Sequence, residues 1–226
     1  MSKILITGNE GLIGKKVFSY LKKSNSVYGL DKKNNFDLCD ESQVRDFFKQ
    51  NNNFDYLINL HGANEHVVTK KIKANKEFDN DKDSFDYFFK NNVFSFYLMN
   101  KNFIKYCKKG KGIINFSSVF SLVSPKHFIY DKPKNIFYVS SKFATNGITK
   151  YFATRFGKKI NINTIACHGV EWKQSKKFKK NLINHIPKKR MMKINDLFGL
   201  LDLLCSEKNK FINGSTIVVD GGYTSW

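Results

Sequence analysis

Proline and cysteine are both scarce in this chain of 226 residues. With only three prolines there is no proline-rich linker, so we predict one domain over residues 1–226. The four cysteines lie far apart and form no Cys-x-x-Cys pair. This spacing predicts free thiols in a reducing, cytoplasmic environment, with neither a disulfide framework nor a metal site.

Long apolar runs are absent as well. No stretch approaches the roughly 20 apolar residues that a helix needs to cross a bilayer. The first residues enter a strand-like run directly, without the basic and apolar segments of a secretory leader. We therefore expect a cytoplasmic protein with no membrane partner.

Acidic residues are few, since 19 Asp and Glu stand against 39 Lys and Arg, and the net charge is +20. Such a balance is typical of nucleic-acid-binding proteins. The lysines are scattered through the whole chain, however, and only the segment 173–190 is densely basic. We expect no nucleic-acid partner, and instead a basic cleft that attracts an anionic small substrate.

Short apolar runs alternate with helical patterns along the chain. Strands are predicted at residues 3–6, 27–30, 56–60, 112–116, 160–166 and 216–219. Helical patterns include the residues around 17–21 and the segments 41–50, 85–106, 137–156 and 196–205. Continuous apolar strands separated by helices predict an α/β fold, with a doubly wound parallel sheet of the Rossmann type.

One connection is too short for the usual crossover. Only four residues separate Asp31 from Phe36, whereas a helical crossover between parallel strands needs about a dozen. The helix that normally follows the second strand is therefore predicted to be missing. We expect the segment 35–38 to form a very short third strand or an extended stretch.

A glycine-rich turn joins the first predicted strand to the first helix. Its sequence TGNEGLIG has the spacing Gly-x-x-Gly-x-x-Gly and contains Gly8, Glu10, Gly11, Leu12, Ile13 and Gly14. Glycine lets the backbone approach a phosphate closely, and a helix N-terminus offers free N–H groups to an anion. Because strand, turn and helix follow in the required order, the pattern predicts a dinucleotide site.

Further cofactor contacts are expected at the ends of the next strands. Asp31 ends the second strand, where a carboxylate accepts both ribose hydroxyls and repels a 2′-phosphate, so NAD is favoured over NADP. The alternative is a turn aspartate before Lys32 and Lys33, which would tolerate a phosphate. The other contacts predicted near the adenine and ribose are Asp37, Leu38, Asn59 and Gly62.

A Tyr-x-x-x-Lys pair occurs four times, as Tyr28/Lys32, Tyr97/Lys101, Tyr130/Lys134 and Tyr138/Lys142. The first pair lies on a strand, where its side chains are roughly 13 Å apart. The third is interrupted by Pro133, which cannot sit inside a helix. The second has no polar strand end before it. The fourth pair shares one face at a helix start and follows a strand that ends in Ser117 and Ser118.

These residues suit proton transfer at a carbonyl or carbinol oxygen. A neighbouring ammonium stabilises a phenolate and lowers the pKa of a phenol from about 10. We therefore expect Tyr138 to act as acid and base beside Lys142, Ser118 to hold the oxygen, and Asn92 to order a water behind the lysine. The alternatives are that the serines only cap a loop and that Asn92 is one asparagine among many.

Together these motifs resemble the short-chain dehydrogenase/reductase family over nearly the whole chain. The matching segments are TGNEGLIG, Asp31, Asp37-Leu38, NLHGA at 59–63, Asn92, NFSSV at 115–119, YVSSK at 138–142, ININ at 160–163 and INGSTIVVDGG at 212–222. The resemblance implies a sheet of about seven strands and a tetrad of Asn92, Ser118, Tyr138 and Lys142. It also implies that Tyr138 and Lys142 lie at the cofactor, with Lys142 on the nicotinamide ribose, and that the protein is a homodimer or homotetramer.

Three features depart from the usual family pattern. The glycine spacing and the lost second helix are similar to extended, sugar-nucleotide-modifying reductases. His61 stands close to the cofactor, where a small residue is usual. The residues CHGV at 167–170 replace the usual Pro-Gly, and Gly169 and Val170 are expected to contact the cofactor.

The segment between the serines and the tyrosine is long and contains SPKH at 124–127. It is similar to members from bacterial surface-glycan and flagellin-modification gene clusters. That similarity implies a sugar or nucleotide-sugar substrate, with Lys126, His127 and Tyr130 at the substrate pocket and the segment 173–190 as a lid.

We therefore predict an NAD(H)-dependent oxidoreductase that interconverts a secondary alcohol and a ketone on such a sugar, in surface polysaccharide biosynthesis. Two alternatives stay open, an epimerase or dehydratase that retains its NAD and a non-catalytic NAD-binding regulatory protein.

Overall fold

Six parallel strands form one sheet in a computed structural model that describes residues 1–64, 81–131 and 133–226. The order across the sheet is β2-β1-β3-β4-β5-β6. The strands are β1 Lys3–Thr7, β2 Ser26–Leu30, β3 Tyr56–Asn59, β4 Gly112–Ser118, β5 Asn161–Cys167 and β6 Thr216–Val219. This confirms the predicted doubly wound, Rossmann-type parallel sheet.

Seven α-helices are seen in the described residues. They are α1 Leu12–Leu21, α2 Glu41–Gln50, α3 Asp81–Phe89, α4 Ser95–Tyr106, α5 Ile136–Phe156, α6 Lys176–Asn184 and α7 Phe198–Leu204. None of the helices in these ranges is long and apolar enough to cross a membrane.

The core lies on both faces of the sheet because successive strand residues point to opposite sides. Ile4 and Ile6 of β1 join one buried cluster with α1 and α7, whereas Leu5 joins a second cluster with α2, α4 and α5. Every residue of β3 is buried. Burial on both faces explains why the strands read as continuous apolar runs.

The described residues form six strands, where the family resemblance implied about seven. The α-helix after β2 is missing as expected, and a single 3₁₀ turn at Lys32–Asn34 replaces it. The segment 35–38 then forms no strand, since Asn35 adopts a left-handed conformation with φ of +59°. The chain instead turns directly into α2, whose N-terminus is capped by the Asp40 side chain.

The predicted long helix over 85–106 contains an irregular turn. A π turn at Lys90–Phe94 separates α3 from α4 and places the buried Asn92 in its centre. Such turns insert an extra residue into the helix and are frequent at functional sites. A further helix, α6, lies within the basic segment 173–190, where no helix was predicted.

Candidate active site

The glycine-rich turn after β1 is shaped by close backbone contacts. Gly8 has φ of +73°, and a Cβ there would lie 2.6 Å from the backbone nitrogen of His61. A Cβ on Gly14 would lie 2.0 Å from the carbonyl oxygen of Gly8. Gly11 directly precedes α1, and no side chain caps that helix end. The N–H groups of Leu12 and Ile13 in its first turn are therefore available to an anion.

Asp31 connects the end of β2 to this turn. Its Oδ2 accepts a hydrogen bond from the backbone N–H of Glu10 (3.1 Å), and its Oδ1 accepts one from that of Lys33 (2.9 Å). The carboxylate thus also serves as a turn aspartate, which was the alternative reading of its position. Each carboxylate oxygen retains a second lone pair for a ligand hydroxyl.

The structure places Asp37 and Leu38 in the turn before α2. Asp37 Oδ1 accepts from the backbone N–H of Cys39 (3.0 Å), and Leu38 is buried in the core with Val44. The side chain of Leu38 is therefore part of the packing between β2 and α2.

Asn59, at the end of β3, is fully buried in a polar network. Its Nδ2 donates to Oδ1 of Asn100 (2.9 Å) and of Asn115 (2.8 Å), and its Oδ1 lies 3.2 Å from Thr7 Oγ1. Asn115 in turn donates to Thr149 Oγ1 (2.9 Å). Because these partners occupy the amide, a contact between Asn59 and a cofactor would come from its backbone.

His61 points into the protein, between β1 and α4. Its Nδ1 lies 2.5 Å from Thr7 Oγ1, and its Nε2 lies 2.8 Å from Ser95 Oγ. The Ser95 hydroxyl also donates to the carbonyl of Asn91 (2.7 Å), and the Thr7 hydroxyl also donates to Asn59 Oδ1 (3.2 Å). Burial and then the charge of Lys142 lower the pKa of His61 to about 3, so the ring is neutral at pH 7.

Asn92 holds the loop after β3 against α5. Its Oδ1 accepts from the backbone N–H of Ala63 (2.6 Å), while its Nδ2 donates to the Ala63 carbonyl (3.2 Å) and to Ser141 Oγ (2.9 Å). The Asn92 side chain is therefore used for positioning. Any water ordered by Asn92 would bind its backbone carbonyl, which accepts a long hydrogen bond of 3.4 Å from Thr145 Oγ1.

The hydrogen bonds from the Asn92 side chain to Ala63 and Ser141 are called the Asn92 clasp below. Lys142 lies beside this clasp and is buried, with 8% of its surface exposed. A Cβ built on Gly62 would lie 3.3 Å from Lys142 Nζ and 3.0 Å from Asn92 Oδ1, so glycine is needed where the three groups meet. Within the described part of the chain, no carboxylate pairs with Lys142. Burial lowers the pKa of Lys142 to about 8. The neighbouring Cys167 has a smaller, opposite effect and raises this pKa.

Tyr138 and Ser118 complete the predicted tetrad. Tyr138 is buried in the first turn of α5, which the Asn135 side chain caps, and Lys142 Nζ lies 5.7 Å from its ring centroid. Ser118 ends β4, and its Oγ accepts from the backbone N–H of Phe120 (3.2 Å). Ser118 therefore caps a short turn, which was the alternative role predicted for the serines. Ser117 Oγ donates to the Lys142 carbonyl (3.0 Å).

The residues after β5 lie at the same edge of the sheet. Ser118 and Cys167 are register partners, so His168, Gly169 and Val170 follow directly beside the end of β4. The backbone N–H of His168 donates to the carbonyl of Val219 (3.1 Å), a bond that the usual proline could not form. Gly169 is exposed, whereas Val170 is buried.

The insertion before Tyr138 contributes three predicted pocket residues. Lys126 is half-buried, with its Nζ 5.1 Å from the ring centroid of Tyr223. Tyr130 packs against Phe178 of α6, with ring centroids 5.6 Å apart. His127 is exposed, and its Nδ1 accepts from the backbone N–H of Lys134 (3.2 Å). The insertion and α6 are thus in contact.

Several positioning residues were not predicted from the sequence. Thr7, Ser95 and Ser141 hold His61 and Asn92, and Tyr223 lies under Lys126. Thr7 belongs to the TGNEGLIG motif and Ser141 to the YVSSK motif, so their place in the sequence could have indicated these roles. Ser95 and Tyr223 carried none.

These features define a Rossmann-fold protein with a site suited to a nicotinamide dinucleotide. The glycine turn, the uncapped start of α1 and Asp31 would hold the pyrophosphate and a ribose. The buried ammonium of Lys142, which has no carboxylate partner among the described residues, would be hydrogen-bonded by ribose hydroxyls. The residues present therefore fit the cofactor.

Comparison with known proteins identifies the family. The family model for enoyl-(acyl carrier protein) reductase matches residues 20–224. A short-chain dehydrogenase from Leptospira borgpetersenii, solved with bound NAD+, is 26% identical, with a TM-score of 0.80 over 99% of this chain and 92% of that chain. A 4-hydroxyisoleucine dehydrogenase complexed with NADH is also 26% identical, with a TM-score of 0.81 over both whole chains. The chain belongs to the short-chain dehydrogenase/reductase family.

Two curated relatives differ in how much they share with this chain. Post-translational flagellin modification protein A of Campylobacter coli is 31% identical over 134 residues, which are 57% of this chain and 52% of that protein. The 7alpha-hydroxysteroid dehydrogenase of Paraclostridium sordellii is 28% identical over 226 residues, 95% of this chain and 74% of that protein. The chain spans about half the length of several curated relatives that it matches.

The buried charge of Lys142 predicts a pH-dependent cost in stability. Below pH 8 the lysine is protonated in both the folded and unfolded states, and the folded state carries the full desolvation cost. Above pH 10.5 it is neutral in both, and the cost disappears. Without cofactor, Lys142→Met should therefore raise the free energy of unfolding at pH 7 by about 2 kcal/mol, and this gain should vanish between pH 8 and 10.5. Urea unfolding at pH 7 and pH 10.5 measures it.

The exposed Lys105 on α4 provides the control. Lys105→Met should change the free energy of unfolding by less than about 0.5 kcal/mol at either pH. A Lys142→Met protein that is less stable than the wild type at pH 7 would show that the ammonium is well solvated or paired.

Proposed function

We propose that this protein is an NAD(H)-dependent oxidoreductase that interconverts a secondary alcohol and a ketone. The observation that carries the proposal is the pairing of a buried ammonium at Lys142 with the Tyr138 ring, at the edge of the sheet where Ser118 ends β4. A positive charge held in a dry site favours the phenolate form of a neighbouring tyrosine. This is the requirement for an acid–base tyrosine that works near neutral pH.

Each residue of the tetrad has a separate task in this reaction. When bound, the nicotinamide supplies or accepts the hydride at carbon. Tyr138 gives its proton to the carbonyl oxygen during reduction and takes it back during oxidation. Ser118 donates a hydrogen bond to that oxygen, and Lys142 stabilises the phenolate that Tyr138 becomes. Asn92 acts as a positioning residue, because its amide fixes Ala63 and Ser141 around Lys142.

The preferred cofactor is NAD(H). The Asp31 carboxylate lies at the end of β2 and bonds to the glycine turn, which supports a role in accepting ribose hydroxyls and repelling a 2′-phosphate. Lys33 Nζ donates to the Glu10 carbonyl (3.4 Å), which turns this lysine toward the turn. Solved structures similar to this chain contain NAD+ or NADH.

The substrate is a sugar or nucleotide sugar of surface polysaccharide biosynthesis. The likeness to a flagellin modification protein supports this class. The basic segment 173–190 supports it too, because α6 packs Phe178 against the insertion and carries exposed lysines on its outer side. Such charge attracts phosphate or carboxylate groups of a substrate. The protein acts in the cytoplasm, without nucleic acid.

The protein assembles as a homodimer or homotetramer. Exposed aromatic side chains cover neighbouring parts of the α4 and α5 region, namely Phe94, Tyr97, Phe143 and Tyr151. Tyr97 lies 6.1 Å from Phe152 between ring centroids, which joins the two helices into one surface. An aromatic surface of this kind suits an interface between two copies.

Removing the Tyr138 hydroxyl tests the proposed reaction. Tyr138→Phe should reduce turnover of NADH with keto-sugar nucleotides by at least about a thousandfold, since a general acid contributes this order of rate. Binding of NADH, measured by its fluorescence, should stay within about threefold of the wild type. Tyr151→Phe, on the outer face of α5, is the matched control and should leave turnover unchanged.

Unchanged turnover in Tyr138→Phe would exclude Tyr138 as the proton donor. Turnover that occurs only with acyl-carrier ketones would refute the sugar assignment. NAD that copurifies tightly without net NADH oxidation would indicate an epimerase or dehydratase.

Neutralising Asp31 tests the cofactor preference. The wild type should bind NADH more tightly than NADPH, and Asp31→Asn should reduce that preference roughly tenfold, because repulsion between the carboxylate and a 2′-phosphate is lost. Asparagine keeps an oxygen for the Glu10 N–H, so the glycine turn should stay in place. Fluorescence titration with both cofactors gives the ratio, with Asp46→Asn on α2 as control. An unchanged ratio would show that Asp31 does not face the ribose.

Sedimentation equilibrium tests the assembly. The wild type should have a mass of two or four times 26.2 kDa. Tyr151→Glu combined with Phe143→Glu should shift the mass toward that of one chain, since a charge in an aromatic interface is costly. A wild-type protein that sediments as one chain at micromolar concentration contradicts the assembly.

A further inference from the structure

Two buried polar atoms beside the active site have no hydrogen-bond partner in the described part of the chain. His168 is only 5% exposed and its Nδ1 is unpaired, and Tyr223 is only 1% exposed with an unpaired hydroxyl. The Lys126 backbone approaches that hydroxyl without forming a hydrogen bond of normal geometry. The two rings are in contact, with centroids 4.4 Å apart. Buried polar atoms normally have a hydrogen-bond partner. A bound ligand is one group that could supply the partner these two atoms lack.

A cation lies over the same pair. Lys126 of the insertion holds its Nζ 5.1 Å from the Tyr223 centroid, and it forms no ion pair or side-chain hydrogen bond with any described residue. The three groups come from different parts of the chain, namely the insertion, the end of β5 and the C-terminal segment.

Asp220 is an acidic side chain whose charge acts on His168. Asp220 accepts hydrogen bonds from the backbone N–H groups of Gly222 (2.8 Å) and Thr224 (2.7 Å) and from the Thr224 hydroxyl (2.7 Å). These bonds hold the carboxylate within its own turn. Among the described residues, Asp220 forms no ion pair with Lys126.

The cluster lies next to the catalytic residues. Tyr223 and Tyr138 belong to the same buried hydrophobic cluster, together with residues of α6 and the insertion. His168 directly follows Cys167, the register partner of Ser118. A substrate whose carbonyl oxygen reaches Ser118 and Tyr138 therefore extends toward these three groups.

We propose that Lys126, Tyr223 and His168 form a subsite for a compact oxyanion of the substrate, a carboxylate or a phosphate group. Lys126 supplies the positive charge, the Tyr223 hydroxyl donates to one oxygen, and the Nδ1–H tautomer of His168 donates to another. The subsite rests on the proposed function, since it names the group by which that substrate is held. It also gives a reason for the replacement of the usual proline by His168, because proline has no side-chain donor.

Anion binding to the protein saturated with NADH tests the subsite without requiring turnover. Inorganic phosphate and acetate are titrated separately by calorimetry, and bound NADH keeps either anion out of the cofactor's own phosphate site. The wild type should bind at least one of them, and which one it binds distinguishes a phosphate from a carboxylate substrate. Lys126→Gln should weaken that binding about tenfold or more, and Tyr223→Phe and His168→Phe about fivefold each.

The matched control is the pair of Lys105 and Tyr106 on α4. Lys105 Nζ also lies 5.1 Å from a tyrosine centroid, but on a helix remote from the sheet edge. Lys105→Gln should leave anion binding unchanged. NADH binding within threefold of the wild type in every variant shows that each one is folded, and the two phenylalanine variants keep the ring packing.

Two outcomes overturn the subsite. One is a wild type that binds neither anion, and the other is binding that stays within twofold in both Lys126→Gln and Tyr223→Phe. Neither outcome touches the acid–base role of Tyr138, which is measured by turnover. Conversely, normal turnover in Tyr138→Phe would refute the proposed acid–base role of Tyr138. The anion titration would still test Lys126, Tyr223 and His168.

Discussion

The geometry of the site depends on the Asn92 amide. It bonds both backbone groups of Ala63 and the hydroxyl of Ser141, and thus fixes the loop after β3 to the helix that carries the tyrosine and lysine. The π turn makes this contact possible, because one extra residue in the helix turns Asn92 inward and leaves it fully buried. The clasp also brings Asn92 Oδ1 and Lys142 Nζ to the same side of Gly62.

Around the clasp, the protein keeps a charge in an unfavourable place. Lys142 is buried without a carboxylate partner among the described residues, and His61 next to it is neutral. A carboxylate here would stabilise the ammonium, but it would also cancel the field that acts on the phenol of Tyr138. The fold therefore retains local electrostatic instability at Lys142, beside the ring of Tyr138.

Much of this arrangement could be predicted from local patterns. The approximate strand positions, the Asp40 cap and the position of Tyr138 and Lys142 together at a helix start followed from periodicity. Of the two predictions for the segment 35–38, a very short strand or an extended stretch, the strand does not form, because the four-residue connection allows a 3₁₀ turn followed by a left-handed Asn35. The side-chain directions of His61 and Asn59 depended on Ser95 and Asn100, which are distant in sequence and carry no motif.

No strand lies beyond β2 in the described sheet, and this leaves β2 open to pairing with another chain. β2 becomes an edge, with backbone groups that another chain could pair with. It is only five residues long, it is followed by Lys32 and Lys33, and its half-exposed Tyr28 folds over Phe47 and Phe54. Shortness, positive charge and a covering aromatic cluster are defences against intermolecular strand pairing. The short, basic and aromatic-covered edge at β2 thus lowers the risk of aggregation.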